Sequence, residues 1–354
     1  MKIGKVPENV LRRSVLRQIQ TKRQEVLSGA GIGEDCAIFS FDGEPLTTCV
    51  QTAAVRPGST IPDSGGAVLL SQLIQRCANN LAAAGAEPVG VLIALMLPEE
   101  TEEPDVRAFM EEAGTKCKEL NVQIAGGQTS VSPGVKQPVA AVTGYGRPFE
   151  AGPDGGGTAK EIPRSKREYT DLDIVISKWI GLEGTAILAG RNREKLLQRY
   201  PAYLVEEAAG FDGLLSVIPE AATAVKSGVC MMHDASEGGI FGALWELAER
   251  AGVGLTIDMK KLPLRQETVE VCECCNVNPY ELLSGGALVM VTADGSGLAA
   301  ALKAEGIPAV IVGRTTAGND RIIVNGEETR YLDRPRNDGI YRYYSQSLSR
   351  ELSE

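Results

Sequence analysis

The sequence predicts an α/β protein of two domains, each mixing strands and helices at similar scale. Three observations carry this. The chain has 354 residues, and a domain commonly takes about 150. In both halves, short apolar runs of strand character alternate with stretches of helical periodicity. Between them, residues 151–168 open on Gly152-Pro153-Asp154-Gly155-Gly156-Gly157 and continue polar and basic, a composition that buries little and reads as a linker. The first domain is placed at residues 1–150 and the second at 169–354.

In the first domain, Val10, Leu11, Val15, Leu16 and Ile19 alternate with Arg12, Arg13, Arg17, Lys22 and Arg23, which predicts an amphipathic helix over 10–27 with a basic face. A glycine loop from Gly29 runs into a strand ending at Phe39, and Leu46–Ala54 is a second strand. Leu69, Leu70, Leu73, Ile74 and Cys77 share one face of a long helix within 61–85. Val89–Leu97, bounded by Pro88 and Pro98, reads as a buried strand. An acidic helix over Glu103–Leu120 follows, then strands at Val122–Ala125 and Val139–Tyr145 around a loop at Ser132-Pro133-Gly134. The second domain shows strands at Asp173–Ile176, Gly254–Ile257, Leu288–Thr292, Ile307–Val312 and Arg321–Val324. Its helices are expected at Gly184–Gly190, Leu196–Phe211, Gly213–Lys226, Gly239–Gly252 and Thr268–Cys275.

Composition narrows the function. With 36 basic and 46 acidic residues the net charge is −10, and aromatics are only 5%. Such a chain repels phosphate backbones and has few rings for base stacking, so nucleic acid is not an expected partner. No apolar run approaches the roughly 20 residues that cross a bilayer, so no membrane partner is expected. The start, Met1-Lys2-Ile3-Gly4-Lys5, has no secretory apolar core. The eight cysteines are then expected to be reduced thiols in a cytoplasmic protein, with Cys272, Cys274 and Cys275 packing on a helix.

Four motifs carry chemistry. Gly31-Ile32-Gly33-Glu34-Asp35 lets backbone approach phosphate and sets two carboxylates together for a divalent cation, though acidic glycine turns are also common. Asn79-Asn80-Leu81-Ala82-Ala83-Ala84-Gly85-Ala86 ends the long helix, and Gly126-Gly127-Gln128-Thr129 follows a strand. Met232-His233-Asp234-Ala235-Ser236-Glu237-Gly238-Gly239 holds the only histidine and feeds an apolar helix whose amide-rich start attracts anions. The bland alternative for that segment is a capping turn.

In this order the motifs resemble the superfamily of aminoimidazole ribonucleotide synthetase, thiamine-monophosphate kinase, selenophosphate synthetase and the hydrogenase maturation protein HypE, the PurM-like group. The resemblance runs from Gly31 to about Val324. Gly31-Ile32-Gly33-Glu34-Asp35-Cys36-Ala37 is similar to the kinase branch's Gly-x-Gly-Asp-Asp-Cys-Ala, and Asn80–Ala86 to its Asp-Leu-Ala-x-x-Gly-Ala. The stretch from Ile174–Ser177 through Gly181-x-x-Gly184 to Cys272 and Leu282-Leu283-Ser284-Gly285-Gly286 is most similar to HypE. The resemblance implies a homodimer whose N-terminal strands form a barrel across the two copies, and a C-terminal α/β domain. It implies ATP in a cleft between the domains, and Mg²⁺ on Glu34 and Asp35. Nucleotide contacts would come from Gly31, Gly33, Gln51, Asn80, Gly126, Gly127, Gln128, Gly238 and Gly239, with His233 and Asp234 as catalytic residues near phosphate. The implied reaction is ATP-dependent activation of, or phosphoryl transfer to, a small-molecule substrate, with a maturation protein as partner.

The departures define further expectations. Gln51, Asn80 and Gln128 stand where relatives place aspartate. Each lost charge at roughly 4 Å removes about 4 kcal/mol of attraction for a cation at an effective dielectric of about 20, so the metal site is expected to be weakened. HypE carries a carbamoyl-accepting cysteine at its extreme C-terminus. Here the last cysteine is Cys275, and Tyr341–Glu354 contains no thiol, so cyanide chemistry on a tail thiolate is not expected. Two alternatives stand beside the ATP-dependent enzyme: a non-catalytic dimeric scaffold, and a thiamine-monophosphate kinase.

Overall fold

The computed structural model describes residues 5–56, 67–150, 166–333 and 337–351. Of the linker expected at 151–168, residues 151–165 lie outside the described residues, and 166–168 fall in a 3₁₀ turn, Lys166–Tyr169. Two mixed sheets with helices against them make up the fold.

In the first half, α1 (Glu8–Val10) runs on as a π turn, Leu11–Val15, and a 3₁₀ turn, Leu16–Gln18. The helix predicted to reach Leu27 stops there, because Ile19 is the last apolar residue of the repeat and Thr21–Glu25 has nothing to bury. Val26 instead enters β1 (Val26–Ser28), followed by β2 (Cys36–Phe41) and β3 (Glu44–Arg56). The β2–β3 hairpin turns at Asp42-Gly43, both with positive φ (53° and 86°), the pattern that two-residue hairpin loops require. Then come β4 (Val68–Leu69), α2 (Leu70–Ala83), β5 (Ala86–Leu97), α3 (Glu103–Glu119), β6 (Gln123–Val131) and β7 (Val139–Pro148).

The sheet order is β1-β2-β3-β7-β5-β6, with β4 on β3. On one face, Leu70, Leu73, Ile74, Cys77 and Leu81 of α2 bury against Val91, Ile93, Leu95 and Val142. The register Gln51↔Val142↔Ile93 lies on this face, whereas Thr52↔Ala141↔Ala94↔Gln128 lies on the other. That second face has no covering helix among the described residues, and leaves Val50 59% and Met96 44% exposed.

The second half runs β8 (Asp173–Ser177), α4 (Leu182–Arg191), α5 (Arg193–Leu197), α6 (Ala202–Ala209), α7 (Ile218–Lys226), β9 (Met231–Asp234), α8 (Gly239–Ala251) and β10 (Gly254–Asp258). It continues with α9 (Gln266–Cys275), β11 (Leu288–Thr292), α10 (Gly295–Ala304), β12 (Ala309–Thr316), β13 (Arg321–Asn325), β14 (Glu328–Tyr331) and α11 (Gly339–Glu351). The order is β14-β13-β10-β12-β8-β11-β9. All of β11 is buried, since helices cover both faces at the centre of the sheet. The single helix expected over 196–211 is divided at Pro201, whose extended backbone starts α6, and after a 3₁₀ turn at Gly210–Leu214 the next α-helix begins only at Ile218 with Pro219 in its first turn. His233 and Asp234 end a buried strand rather than lying in a turn.

α2 belongs to both halves. Its Ala82 and Ala83 join Val217, Ala221 and Met232 in a core of the second half. Burying small residues at this end brings the two backbones close, so the cleft beside α2 is narrow.

Candidate functional site

The site is built outward from α2. Asn79 bolts it to the second half: its amide donates to the Leu215 carbonyl (2.8 Å), and its oxygen accepts from the Val217 amide (3.1 Å) and from Gln75 (2.9 Å). One turn earlier, Arg76 grips Glu183 of α4 at 2.7–2.8 Å. The neighbouring Asn80 lines a cleft, and its carbonyl accepts from the Cys36 thiol at 3.3 Å. Across that cleft lie Gly33, Glu34 and Asp35 from the first half and His233 and Asp234 from the second.

The glycine loop is held against α8. At Gly33 φ is +77°, and a Cβ there would come within 2.6 Å of the Glu246 carbonyl, so glycine is required for this approach. Glu34 pairs with Arg250 of α8 at 2.9 Å. Burial raises the Glu34 carboxyl above its ordinary range even against Arg250. In this arrangement the cleft encloses about 20 Å³, close to the room of one water. A guest larger than a water therefore needs this cleft to widen.

Beyond the loop, His233 is 4% exposed. Its Nε2 lies 3.3 Å from Glu246 and 3.8 Å from Asp35, and Lys5 reaches Glu246 at 3.0 Å. Burial alone would raise the Glu246 carboxyl, but His233 and Lys5 hold it down at about 2. Burial would lower His233, and Glu246 and Asp35 outweigh it to raise the imidazole. Asp234 is 2% exposed, and among the described residues neither of its carboxylate oxygens has a hydrogen-bond partner. Burial, reinforced by Glu183 and Asp35, pushes it to about 7 against His233 and Lys178. A carboxyl that titrates near neutrality at the floor of a cleft can hold or pass a proton.

The structure brings together Gly33, Glu34, Asp35, Asn80, His233 and Asp234 in one cleft, with Gly31 at the start of its loop. It sets the others apart. Gly126, Gly127 and Gln128 lie in the edge strand β6, where a Cβ on Gly127 would fall 1.8 Å from the Ile93 carbonyl. The close backbone approach at Gly127 is thus to β5. Gln51 and Gln128 face opposite sides of the sheet. Gly238 and Gly239 open α8, and the Gly238 amide donates to Asp338 at 2.7 Å. Since Glu34 is engaged by Arg250, a Mg²⁺ shell of Glu34, Asp35, Gln51, Asn80 and Gln128 does not fit within one chain. Sequence reasoning missed Lys5, Arg76, Glu183, Glu246 and Arg250. For two of them a signal existed: Glu246 and Arg250 are four apart on a mainly apolar helix, so both point the same way.

The family described as AIR synthase related protein matches with its N-terminal domain over residues 33–147 and its C-terminal domain over 173–325. A carbamoyl dehydratase HypE of Rhodobacter capsulatus is 31% identical over 244 residues, covering 68% of this chain and 67% of that one. A putative hydrogenase expression/formation protein of Methanocaldococcus jannaschii is 25% identical over 289 residues, 81% of this chain and 79% of its own. Among solved structures, HypE in complex with ATP aligns with a TM-score of 0.67 at 18% identity, over 96% of this chain and 97% of that chain. A HypE–HypF complex gives 0.67 at 21% identity, over 86% of this chain and 94% of that chain.

Proposed function

Starting from a chain that belongs to the AIR synthase related protein family in both of its domains, we propose that it binds ATP in the cleft between its halves and uses it to activate or phosphorylate a small-molecule substrate. The carrying observation is the juxtaposition of the Gly33–Cys36 loop and Asn80 with His233 and Asp234, drawn from opposite halves and meeting in one cleft. Loop amides would receive phosphate oxygens. Asp234, neutral below about pH 7, would hold a proton for the reacting oxygen, and Arg76 with Glu183 would fix the cleft wall. The ATP complex of HypE supports this reading by shared architecture. A hydrogenase-maturation role, in the cytoplasm and alongside a maturation protein, follows as the finer proposal from the HypE relatives. No described helix is long and apolar enough to cross a membrane.

Thermal unfolding tests it. A ligand that binds only the native state stabilises it by about 2.7 kcal/mol at 100 times its Kd, so millimolar ATP should raise the midpoint by several degrees. No shift, with or without divalent cation, contradicts the proposal. The engagement of Glu34 by Arg250 favours a second reading, a relative that binds nucleotide without turning it over. ATP hydrolysis that Asp35→Ala abolishes would eliminate that alternative.

The uncovered sheet face supports a homodimer closed through these strands, because Val50 and Met96 stand exposed on it. Val50→Lys should convert a dimer to a monomer in sedimentation analysis while leaving the circular dichroism spectrum unchanged. A variant that sediments as the unaltered protein does places the dimer contact elsewhere.

A further inference from the structure

We propose that Asp35, His233 and Glu246 form a binding site for one first-row transition-metal dication of the zinc or cobalt kind, clasped between the two halves. One ligand atom from each of the three lies within 4.8 Å of the others. The imidazole is already oriented as a metal ligand. Its Nδ1 stands 2.9 Å from the Asp234 carbonyl, an acceptor, so Nδ1 carries the hydrogen and the Nε2 lone pair looks out. Fixing one ring nitrogen on a backbone carbonyl is the usual way a ligating histidine is aimed.

Nε2 is buried, and among the described residues it has no hydrogen-bond partner. What it faces is two carboxylates, which when ionised only accept. With Nε2 unprotonated, three acceptors converge here, and one cation at their centre would satisfy them together in place of the proton on Nε2. Ligands about 2.0–2.1 Å from a tetrahedral ion stand about 3.3 Å apart. His233 Nε2 and Glu246 already have that spacing, at 3.3 Å, whereas Asp35, 3.8 Å from Nε2, must close in on the ion.

One nitrogen and two oxygens suit zinc or cobalt rather than magnesium, which prefers an all-oxygen shell and keeps its waters. Lys5, which donates to both oxygens of Glu246 at 3.0 and 3.1 Å, is the competing cation. The site differs from a magnesium shell on Glu34 and Asp35, since two of its ligands come from the second half. It is independent of the nucleotide reading and goes beyond it.

The test uses the full chain, stripped with chelator and free of nucleotide, titrated with Co²⁺ and followed by visible absorption. The expected result is one Co²⁺ per chain with ligand-field bands, displaced by Zn²⁺ and untouched by millimolar Mg²⁺. His233→Ala and Asp35→Asn should each weaken binding by more than the roughly 10–100-fold that outer-shell partners cost. Lys5→Met should tighten it. Should His233→Ala fail to fold, Asp35→Asn, at the more exposed ligand, still decides. Equal Co²⁺ affinity and spectrum in Asp35→Asn, or no Co²⁺ binding by the folded parent protein, overturns the site. Because no nucleotide is present, failure here leaves the ATP proposal standing, and an absent ATP shift leaves this one standing.

Discussion

Arg76→Met lowers the stability of the protein by about 3–5 kcal/mol, the cost of stranding a buried charge whose partner has been removed. Glu183 is 2% exposed, and its second oxygen already has no hydrogen-bond partner among the described residues. It is also wedged in place: a Cβ on Gly285 would come within 2.3 Å of its carboxylate. Glu183 therefore cannot swing to water when Arg76 is lost. Adding Glu183→Gln should restore most of the loss, because the pair is worth far less than the penalty for breaking it. Urea unfolding of the four proteins in this cycle measures it. If Arg76→Met costs less than about 1 kcal/mol, the range of an exposed pair, then the ion pair does not hold the halves together.

Asp234→Asn has the opposite sign. The folded protein holds this carboxyl at about 7, above its ordinary 3.8, because burial and the neighbouring Glu183 and Asp35 disfavour its charge. A raised folded-state pKa contributes stability that is fully present below the unfolded value and is lost as pH rises through the folded one. The parent protein thus gives up stability between about pH 4 and pH 7, at about 1.4 kcal/mol for each step of one in pH. An amide does not titrate. The variant should gain on the parent across that window and keep a constant lead of a few kcal/mol above it, measured in chelator. Under the proposed function, in which Asp234 holds a proton for the reacting oxygen, the same variant should also lose whatever turnover the parent shows. A lead that does not vary with pH would mean that Asp234 titrates as an ordinary aspartate.

Much of this was legible in the chain. Leu70, Leu73, Ile74 and Cys77 recur with helical spacing, and α2 forms where they predict. The family resemblance implied a cleft between the domains, and the glycine loop, Asn80 and His233-Asp234 do line one cleft. β9 was not legible: Met231–Asp234 is four residues long and ends in polar groups, so its burial comes only from pairing with β11. Gly126 and Gly127 are expected on resemblance to touch nucleotide; glycine signals close approach without saying to what, and here β5 is the neighbour. Lys5 and Glu246 meet across 241 residues, a distance over which periodicity carries no information. For the same reason Gln51 and Gln128 could be placed together on paper, although the register of three intervening pairings sends them to opposite faces.

Amide hydrogen exchange of the full chain with and without millimolar ATP, resolved to short peptides, locates the nucleotide. Slower exchange in residues 31–36 and in the turn at 235–238 is the predicted result, because these flank the cleft from opposite halves and are free of helix or strand bonding for most of their length. Unchanged exchange in both segments, with protection elsewhere or nowhere, contradicts a nucleotide site between the halves.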